Sequence, residues 1–415
     1  MTTLVQNREY RLLWTSQAAS EFGFSTAMIA FPLVVLTTTG SATASGLVLG
    51  AAAAARLLAG VPAGVLIDRW NRKTVMVVCE AVQALAVASL VVALWWDVAS
   101  VAHMVVVAAI LGLCTALFEP AEYSCLPALV PARQLPAAVA MNTARSHLGQ
   151  LAGTAAGGFL FAVGRFLPFA VEVLSHLFAC IRLMFLRVPP RTQRRESTSR
   201  FRDELGEGLR WMWRQRHIRA VALCAVSLNA FFTAYYIVII VLTAARGVTA
   251  GEIGVMAAML GAGGILGAVA APALCRRLSP YALIVMVFWV LAVLAPLAVV
   301  IDSGYLMGAL FAAMAFLPPS ANTAIATQQL LLTPERMRGR LSGVMAVATG
   351  TASAVGPPLG GLLAELLPGS RAVLLCTAGM AAVALLATIA PPLRTFPRLT
   401  DAVADSPRQK GTPDG

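Results

Sequence analysis

GVPAGVLIDRWNRK, residues Gly60 to Lys73, carries an apolar run straight into an Asp and three basic side chains, and a second apolar run follows at once. Upstream, small residues recur at four-residue spacing (Ala55, Ala59, Ala63 and Gly60, Gly64), which lets helix backbones approach closely inside lipid. Asp68, Arg69, Arg72 and Lys73 belong at the water boundary, because a charge in hydrocarbon costs roughly 3 kcal/mol or more. The stretch therefore reads as a charged turn between two membrane helices.

The rest of the composition agrees. The chain has 415 residues, of which 59% are hydrophobic and 12% charged, and a mean hydropathy of +0.78; a soluble domain carries about a quarter charged residues. The net charge of +12 does not point to nucleic acid, since the basic residues lie between apolar runs without the stacking aromatics of a nucleic-acid module. Seven Cys lack paired spacing, so neither a disulfide scaffold nor a zinc site is expected, and no metal ligand set is assigned. The opening MTTLVQNREYR is read as a retained cytoplasmic tail and not as a cleaved leader.

Runs long enough to span about 30 Å of hydrocarbon fall at about 12–37, 45–67, 74–96, 99–119, 138–162, 166–187, 218–242, 251–273, 280–301, 304–325, 340–364 and 371–391. Twelve crossings put both termini on one side. The tails and the turns at 68–73, 120–137, 188–217, 274–279 and 326–339 hold nearly all the non-membrane Arg and Lys, whereas the opposite turns hold only Arg165, Arg246 and Arg371. The basic side faces the cytoplasm, which predicts a multi-pass protein of the cell membrane with both termini inside.

The longest polar stretch, PPRTQRRESTSRFRDELGEGLRWMWRQRH, reads as a connector with a short amphipathic helix over 202–210. Phe201, Leu205, Leu209 and Met212 form its stripe, and Trp211 and Trp213 anchor it at the interface. The expected organisation is an N-terminal bundle over 1–187, a cytoplasmic linker over 188–217, a C-terminal bundle over 218–391 and a disordered tail over 392–415. The two bundles read as copies: LVPAR at Leu129–Arg133 matches LTPER at Leu332–Arg336, and Gly153, Gly157 and Gly158 then fall on Gly356, Gly360 and Gly361. Duplicated halves around a midplane site are a transporter architecture. No GxxxxGK[ST] is present, so the driving force is an ion gradient, the membrane potential or the solute's own gradient.

Gly64, Asp68, Arg69, Arg72 and Lys73 meet the pattern G-x-x-x-D-R-x-x-R-[KR], and with it the chain from Arg8 to about Arg394 resembles the major facilitator superfamily. RLLWTSQAASEFG at Arg11–Gly23, FPLVVLTTTGSATASGLV at Phe31–Val48 and RGRLSG at Arg338–Gly343 are similar to the drug and siderophore exporter group. That group contains macrolide efflux proteins, the enterobactin exporter and the lysophospholipid transporter. The resemblance implies an all-α membrane protein with twelve transmembrane helices in two six-helix bundles. Two departures stand out: GQLAGTAAGG at Gly149–Gly158 lacks the proline of the family's helix-five motif, which appears instead in VGPPLGG at Val355–Gly361, and Phe24 follows Gly23 where the family often has an acid.

Helical rise places Glu21 about 13 Å deep from the inner side and Arg56 about 16 Å deep from the outer side, so the two are expected as midplane partners, with Glu21 exchanging protons or substrate. Asn142, Arg145 and Asn229 are the other expected cavity residues, and Glu80 is an expected partner for Arg145. Asp68 is expected to accept from a helix start, by resemblance that of helix eleven near Arg340 and Leu341, and Arg69 and Arg72 to pair with Glu119 or Glu122 in a cytoplasmic gate that holds the outward-open state. Gly153, Gly157, Gly356, Pro357, Pro358 and Gly360 are expected to bend their helices. The His residues form no ligand cluster.

The function expected is secondary active transport by a functional monomer: proton-coupled export, as an antiporter, of an amphipathic or hydrophobic small molecule such as a drug, macrolide-like compound or siderophore. It needs no cofactor and no nucleic acid, and membrane lipids surround it. A lysophospholipid carrier is the alternative within the class, a non-transporting receptor or scaffold the alternative outside it, and an enzyme is not expected.

Overall fold

The computed structural model describes residues 4–188, 201–333 and 335–394, and every regular element among them is helical. In chain order these are α1 (Arg8–Thr39), α2 (Ala42–Arg69), α3 (Arg72–Trp95), α4 (Val101–Leu129), α5 (Leu135–Val163), α6 (Leu167–Met184), α7 (Phe201–Arg214) and α8 (Arg216–Ala245). There follow α9 (Ala250–Arg277), α10 (Pro280–Leu294), α11 (Gly304–Phe316), α12 (Pro318–Leu332), α13 (Glu335–Leu366), α14 (Gly369–Ile389) and α15 (Pro391–Arg394). Ten spans are long and apolar enough to cross a membrane. The two remaining long helices, α5 and α13, are 29 and 32 residues and carry the polar and small residues that line the interior described below.

Local chemistry sets the helix ends. Asn7 caps α1 by accepting from the Glu9 and Tyr10 amides, Asn71 caps α3 from within the charged turn, and Thr249 and Glu252 form a reciprocal capping box on α9. Gly40 ends α1 at φ 68°, the left-handed conformation that terminates helices. The run at 304–325 is divided at Leu317, because Pro318 and Pro319 start a new helix where a first turn tolerates missing amides. On the face opposite the termini, Arg165 pairs with Asp97 and Arg246 donates to the carbonyls of Ala298, Val299 and Ile301.

Helices α1 to α6 pack among themselves, as do α8 to α14, and the principal contacts between the two sets are α2 with α13 and α5 with α9. Both seams depend on absent side chains. A Cβ on Gly46 or Gly361 would collide with the backbone of Pro357 or Ala42 across α2 and α13, and Gly158 and Gly254 meet backbone to backbone across α5 and α9. These approaches lie in the half of the molecule away from the termini. Toward the termini, Gly60 on α2 and Gly343 on α13 have nothing within 4 Å of a Cβ position. The two sets are thus closed at one end and parted at the other.

The glycine and proline runs expected to bend their helices lie at helix contacts. Both α5 and α13 are continuous helices through them. Gly153 and Gly157 admit α1, Gly356 and Gly360 admit α8, and Pro357 and Pro358 seat against Gly46 and Gly50 of α2. The residues serve close packing, and the offset of the two copies is preserved in it: α5 meets α1 and α9 as α13 meets α8 and α2.

The connector helix α7 is longer than the expected 202–210. Met212 is buried with Ile218, Ala222, Leu341 and Val344, but Leu209 is exposed, so the apolar stripe is only partly covered. Arg340 of α13 reaches Glu207 of α7 at 2.6 Å. Most of the polar linker before α7 and the tail beyond Arg394 lie outside the described residues, as do the side chains of Phe201 and Leu205.

Candidate functional site

Two cavities adjoin, one between the helix sets and one inside the first set. The larger, about 710 Å³, is walled by α1, α2 and α4 on one side and by α8 and α13 on the other, with Phe24, Met28, Leu49, Leu57 and Val347 among its apolar lining. The smaller, about 500 Å³, lies within the first set and is polar: Gln17, Glu21, Glu80, Glu122, Asn142, Arg145 and His176 face it. Phe24, Arg56, Thr115 and Glu119 border both.

Glu21, Arg56, Asn142, Arg145 and Asn229 all line these cavities, but their pairing differs from expectation. Arg56 on α2 takes Glu119 of α4, with Nη2 at 2.7 and 2.9 Å from the two carboxylate oxygens, and not Glu21. Both members of this pair are about half exposed to the cavity. Arg145 on α5 takes Glu122 of α4 at 2.8 Å, and this pair is buried. Glu21 sits against α5 where Gly149 leaves room for its Cγ, near the Ser146 hydroxyl and within the field of Arg145. Asn142 accepts from the Tyr10 hydroxyl at 3.1 Å. Asn229, on α8, donates to its own helix at Ala225. Depth along a helix was readable from the rise; which neighbour each side chain meets depends on helix rotation, which the rise does not supply.

The expected gate is also rearranged. Arg72 donates to the Ser124 carbonyl at 2.9 Å and Lys73 to the Met184 carbonyl at 2.7 Å. Glu119 and Glu122, expected as partners of Arg69 and Arg72, are cavity residues committed to Arg56 and Arg145. The Arg72 and Lys73 side chains both rise from the start of α3; Lys73 caps the carboxyl end of α6, where cations are favoured, and Arg72 ties α3 to the last turns of α4. The side chains of Asp68 and Arg69 lie outside the described residues, and only the α2 backbone is described at Gly64. Arg340, expected near the Asp68 contact, is engaged by Glu207.

One cluster escaped the sequence reading. Glu80 does not meet Arg145; its carboxylate accepts from Gln17 at 3.2 Å and Ser20 at 3.1 Å and lies 2.6 Å from His176 Nδ1. On the far side of the ring, Nε2 is 3.6 Å from Glu172. The available signal was the Glu172–His176 spacing, which puts two ionisable groups on one face of an apolar helix.

The transmembrane secretion effector model of the major facilitator superfamily matches residues 3–410. The chain belongs to that family. Among transmembrane secretion effectors and their kin, it is 26% identical over 361 residues to the multidrug efflux pump Tap of Mycolicibacterium fortuitum, covering 83% of this chain and 86% of the pump. It is 25% identical over 221 residues to macrolide efflux protein A of Streptococcus pyogenes, covering 52% of this chain and 54% of that protein. Its fold is that of a variant of the nucleoside transporter NupG (TM-score 0.77, 10% identity, 91% of this chain and 98% of that one). It is also that of a bacterial homologue of the human lysosomal transporter Spinster in an inward-facing, unoccupied conformation (TM-score 0.69, 17% identity, 94% and 98%). At such identities the structural likeness speaks for the fold alone. As a transmembrane secretion effector the protein is a secondary transporter of small molecules and not an enzyme.

Proposed function

We propose that this transporter exports amphipathic or hydrophobic small molecules in exchange for protons, by alternating access of the cavity between its two helix sets. The observation that carries this reading is the larger cavity. Its lining is mainly apolar, with a single half-exposed ion pair, Arg56 and Glu119, at its border. A few polar groups on an apolar wall suit a bulky organic solute, whereas a sugar or phosphate needs many fixed donors. The functions of the relatives, multidrug efflux and macrolide efflux, are of that kind.

On this reading α1–α6 and α8–α14, with α10 extended by its 3-10 turn and α11 joined to α12, form two six-helix bundles making twelve crossings. The protein works as a monomer in the cell membrane with the termini and the α7 connector in the cytoplasm. The closed seams then face outward and the parted end inward, so the conformation is inward-open, ready to load from the cytoplasm. Glu21 is a proton or substrate site of the cavity, and the Asp68 turn is a latch for the opposite state. No cofactor is required; the proton gradient supplies the work.

The test is flux in proteoliposomes of the full chain under an imposed pH gradient, screened across cationic drugs, macrolides, siderophores and lysolipids. Gradient-dependent movement of a drug or macrolide is the expected result. Movement of lysolipids alone would replace the substrate class, and movement of none under any gradient would contradict the transport reading.

A further inference from the structure

We propose that Glu80, His176 and Glu172 form a proton-binding relay in the first helix set, loaded from the smaller cavity and separate from the Arg56–Glu119 pair where solute would sit. The three are on α3 and α6 and are essentially inaccessible, at 0, 1 and 0% exposure. Buried polar groups in native proteins are almost always hydrogen-bonded. Here both carboxylate oxygens of Glu172 and Nε2 of His176 have no hydrogen-bond partner, although the two residues face each other across 3.6 Å. A cluster serving packing alone would have satisfied them.

Its two ends differ in access. Glu80 and His176 border the smaller cavity, as do Gln17 and Ser20, which hold the Glu80 carboxylate. Glu172 is not part of that lining; behind the ring, Gly23 of α1 is pressed against Ser175 and the Glu172 backbone. The titratable and charged neighbours are Cys79, Cys114 and Cys180 beside the cluster and, around the same cavity, Glu21 from α1, Arg56 from α2, Glu119, Glu122 and Tyr123 from α4 and Arg145 and His147 from α5; Arg56 is matched by Glu119. Arg145 is already matched by Glu122. The imidazole is thus the one basic group standing between the two carboxylates among the described residues, and a proton taken up there offsets their charge. The two carboxylates face opposite nitrogens of the ring and so do not converge on one ion, and no group of three His, Cys, Asp or Glu placed to hold a metal is found among the described residues.

The step balances without any other reactant. A proton from the cavity binds His176 Nδ1 beside Glu80; the bond from Nε2 to its hydrogen breaks as one forms to the Glu172 carboxylate oxygen. The ring ends neutral in the opposite tautomer and Glu172 ends as the acid. The gap of 3.6 Å exceeds a hydrogen bond, so transfer requires a small turn of the Glu172 or His176 side chain, one helical turn apart on α6, and a shift of the helices packed over them would couple loading to the transport cycle. That coupling rests on the proton-driven reading above; the binding of a proton does not.

The experiment uses the full chain in proteoliposomes and two readouts. Infrared difference spectra between acidic and alkaline buffer are expected to show the C=O stretch of a weakly hydrogen-bonded carboxylic acid, lost in Glu172→Gln, altered in Glu80→Gln and retained in Glu21→Gln. The same band in Glu172→Gln, or its absence from the unaltered protein, overturns the site. In parallel, pH-driven accumulation of ethidium is expected to be lost in Glu172→Gln while ethidium counterflow, which requires no net proton movement, persists. Full pH-driven accumulation in that variant overturns the relay and leaves the transport reading standing. If the unaltered protein shows the band but moves no solute, it is the transport reading that fails.

Discussion

Two ion pairs on neighbouring turns of α4 have opposite energetics. Arg145 and Glu122 are buried, and removing one partner strands the other charge, at a cost of about 3–5 kcal/mol. Arg56 and Glu119 are half exposed, and such pairs contribute about 0.2–1 kcal/mol. Glu122→Gln should therefore lower the melting temperature of the purified protein markedly, whereas Glu119→Gln should leave melting nearly unchanged and alter which solutes are carried. Equal melting losses in the two variants would show that the exposed pair is structural. Sequence reading reaches the residues but not the pairs: Glu21 and Arg56 can be placed by depth and Arg145 by its face of the helix, whereas Glu119 and Glu122 are expected to meet Arg69 and Arg72 because all lie near the inner helix ends. Rotation about the α4 axis turns those carboxylates into the cavity, and nothing in a one-dimensional pattern of apolar residues this dense fixes that rotation.

The helix pair α2 and α13 carries the contact that holds one end closed. At the rim, Glu365 accepts from the Thr43 amide and the Ser41 hydroxyl, each at 2.9 Å, so a carboxylate from one helix set caps the first turn of a helix in the other. The apolar run of α13 is expected to end at Ala364, one residue short of it. The Thr43 amide first, with the Thr43 and Ser41 side chains, holds the Glu365 carboxyl below its ordinary range. When the ends part, Glu365 loses these donors and returns toward its ordinary value. The contact therefore favours closure at any pH above the ordinary carboxylate range and weakens as pH falls through the lowered value. Acidifying the medium that bathes this end should widen label distances across it in the unaltered protein, while Glu365→Gln should start wider and respond far less to pH. An identical acid response in the variant would assign it to another group. Of this element the sequence shows the glycines in register with those of α5, and two prolines that α5 lacks; that they serve close approach, and that the proline pair seats on Gly46 and Gly50, needs the neighbouring helix.

For the molecule as a whole, the charged turn at Gly60–Lys73 and the one-sided distribution of Arg and Lys were enough to read a polytopic membrane protein and its superfamily. The register of the two copies was enough to relate α5 to α13 before either had neighbours. The relay of Glu80, His176 and Glu172 was not legible in that way, because its members come from α3 and α6, nearly a hundred residues apart, and look like isolated polar residues in apolar runs. The account stands on movement of one helix set against the other, between the observed state, closed at the Glu365 end and parted at Gly60 and Gly343, and its opposite. The most direct measurement is a pair of spin-label distances in proteoliposomes, Trp70 to Arg277 across the parted end and Trp96 to Tyr305 across the closed one, with and without a pH gradient and a transported drug. The account predicts reciprocal change, the first distance shortening in the same population in which the second lengthens. Two distances that stay fixed, or that lengthen together, would contradict it.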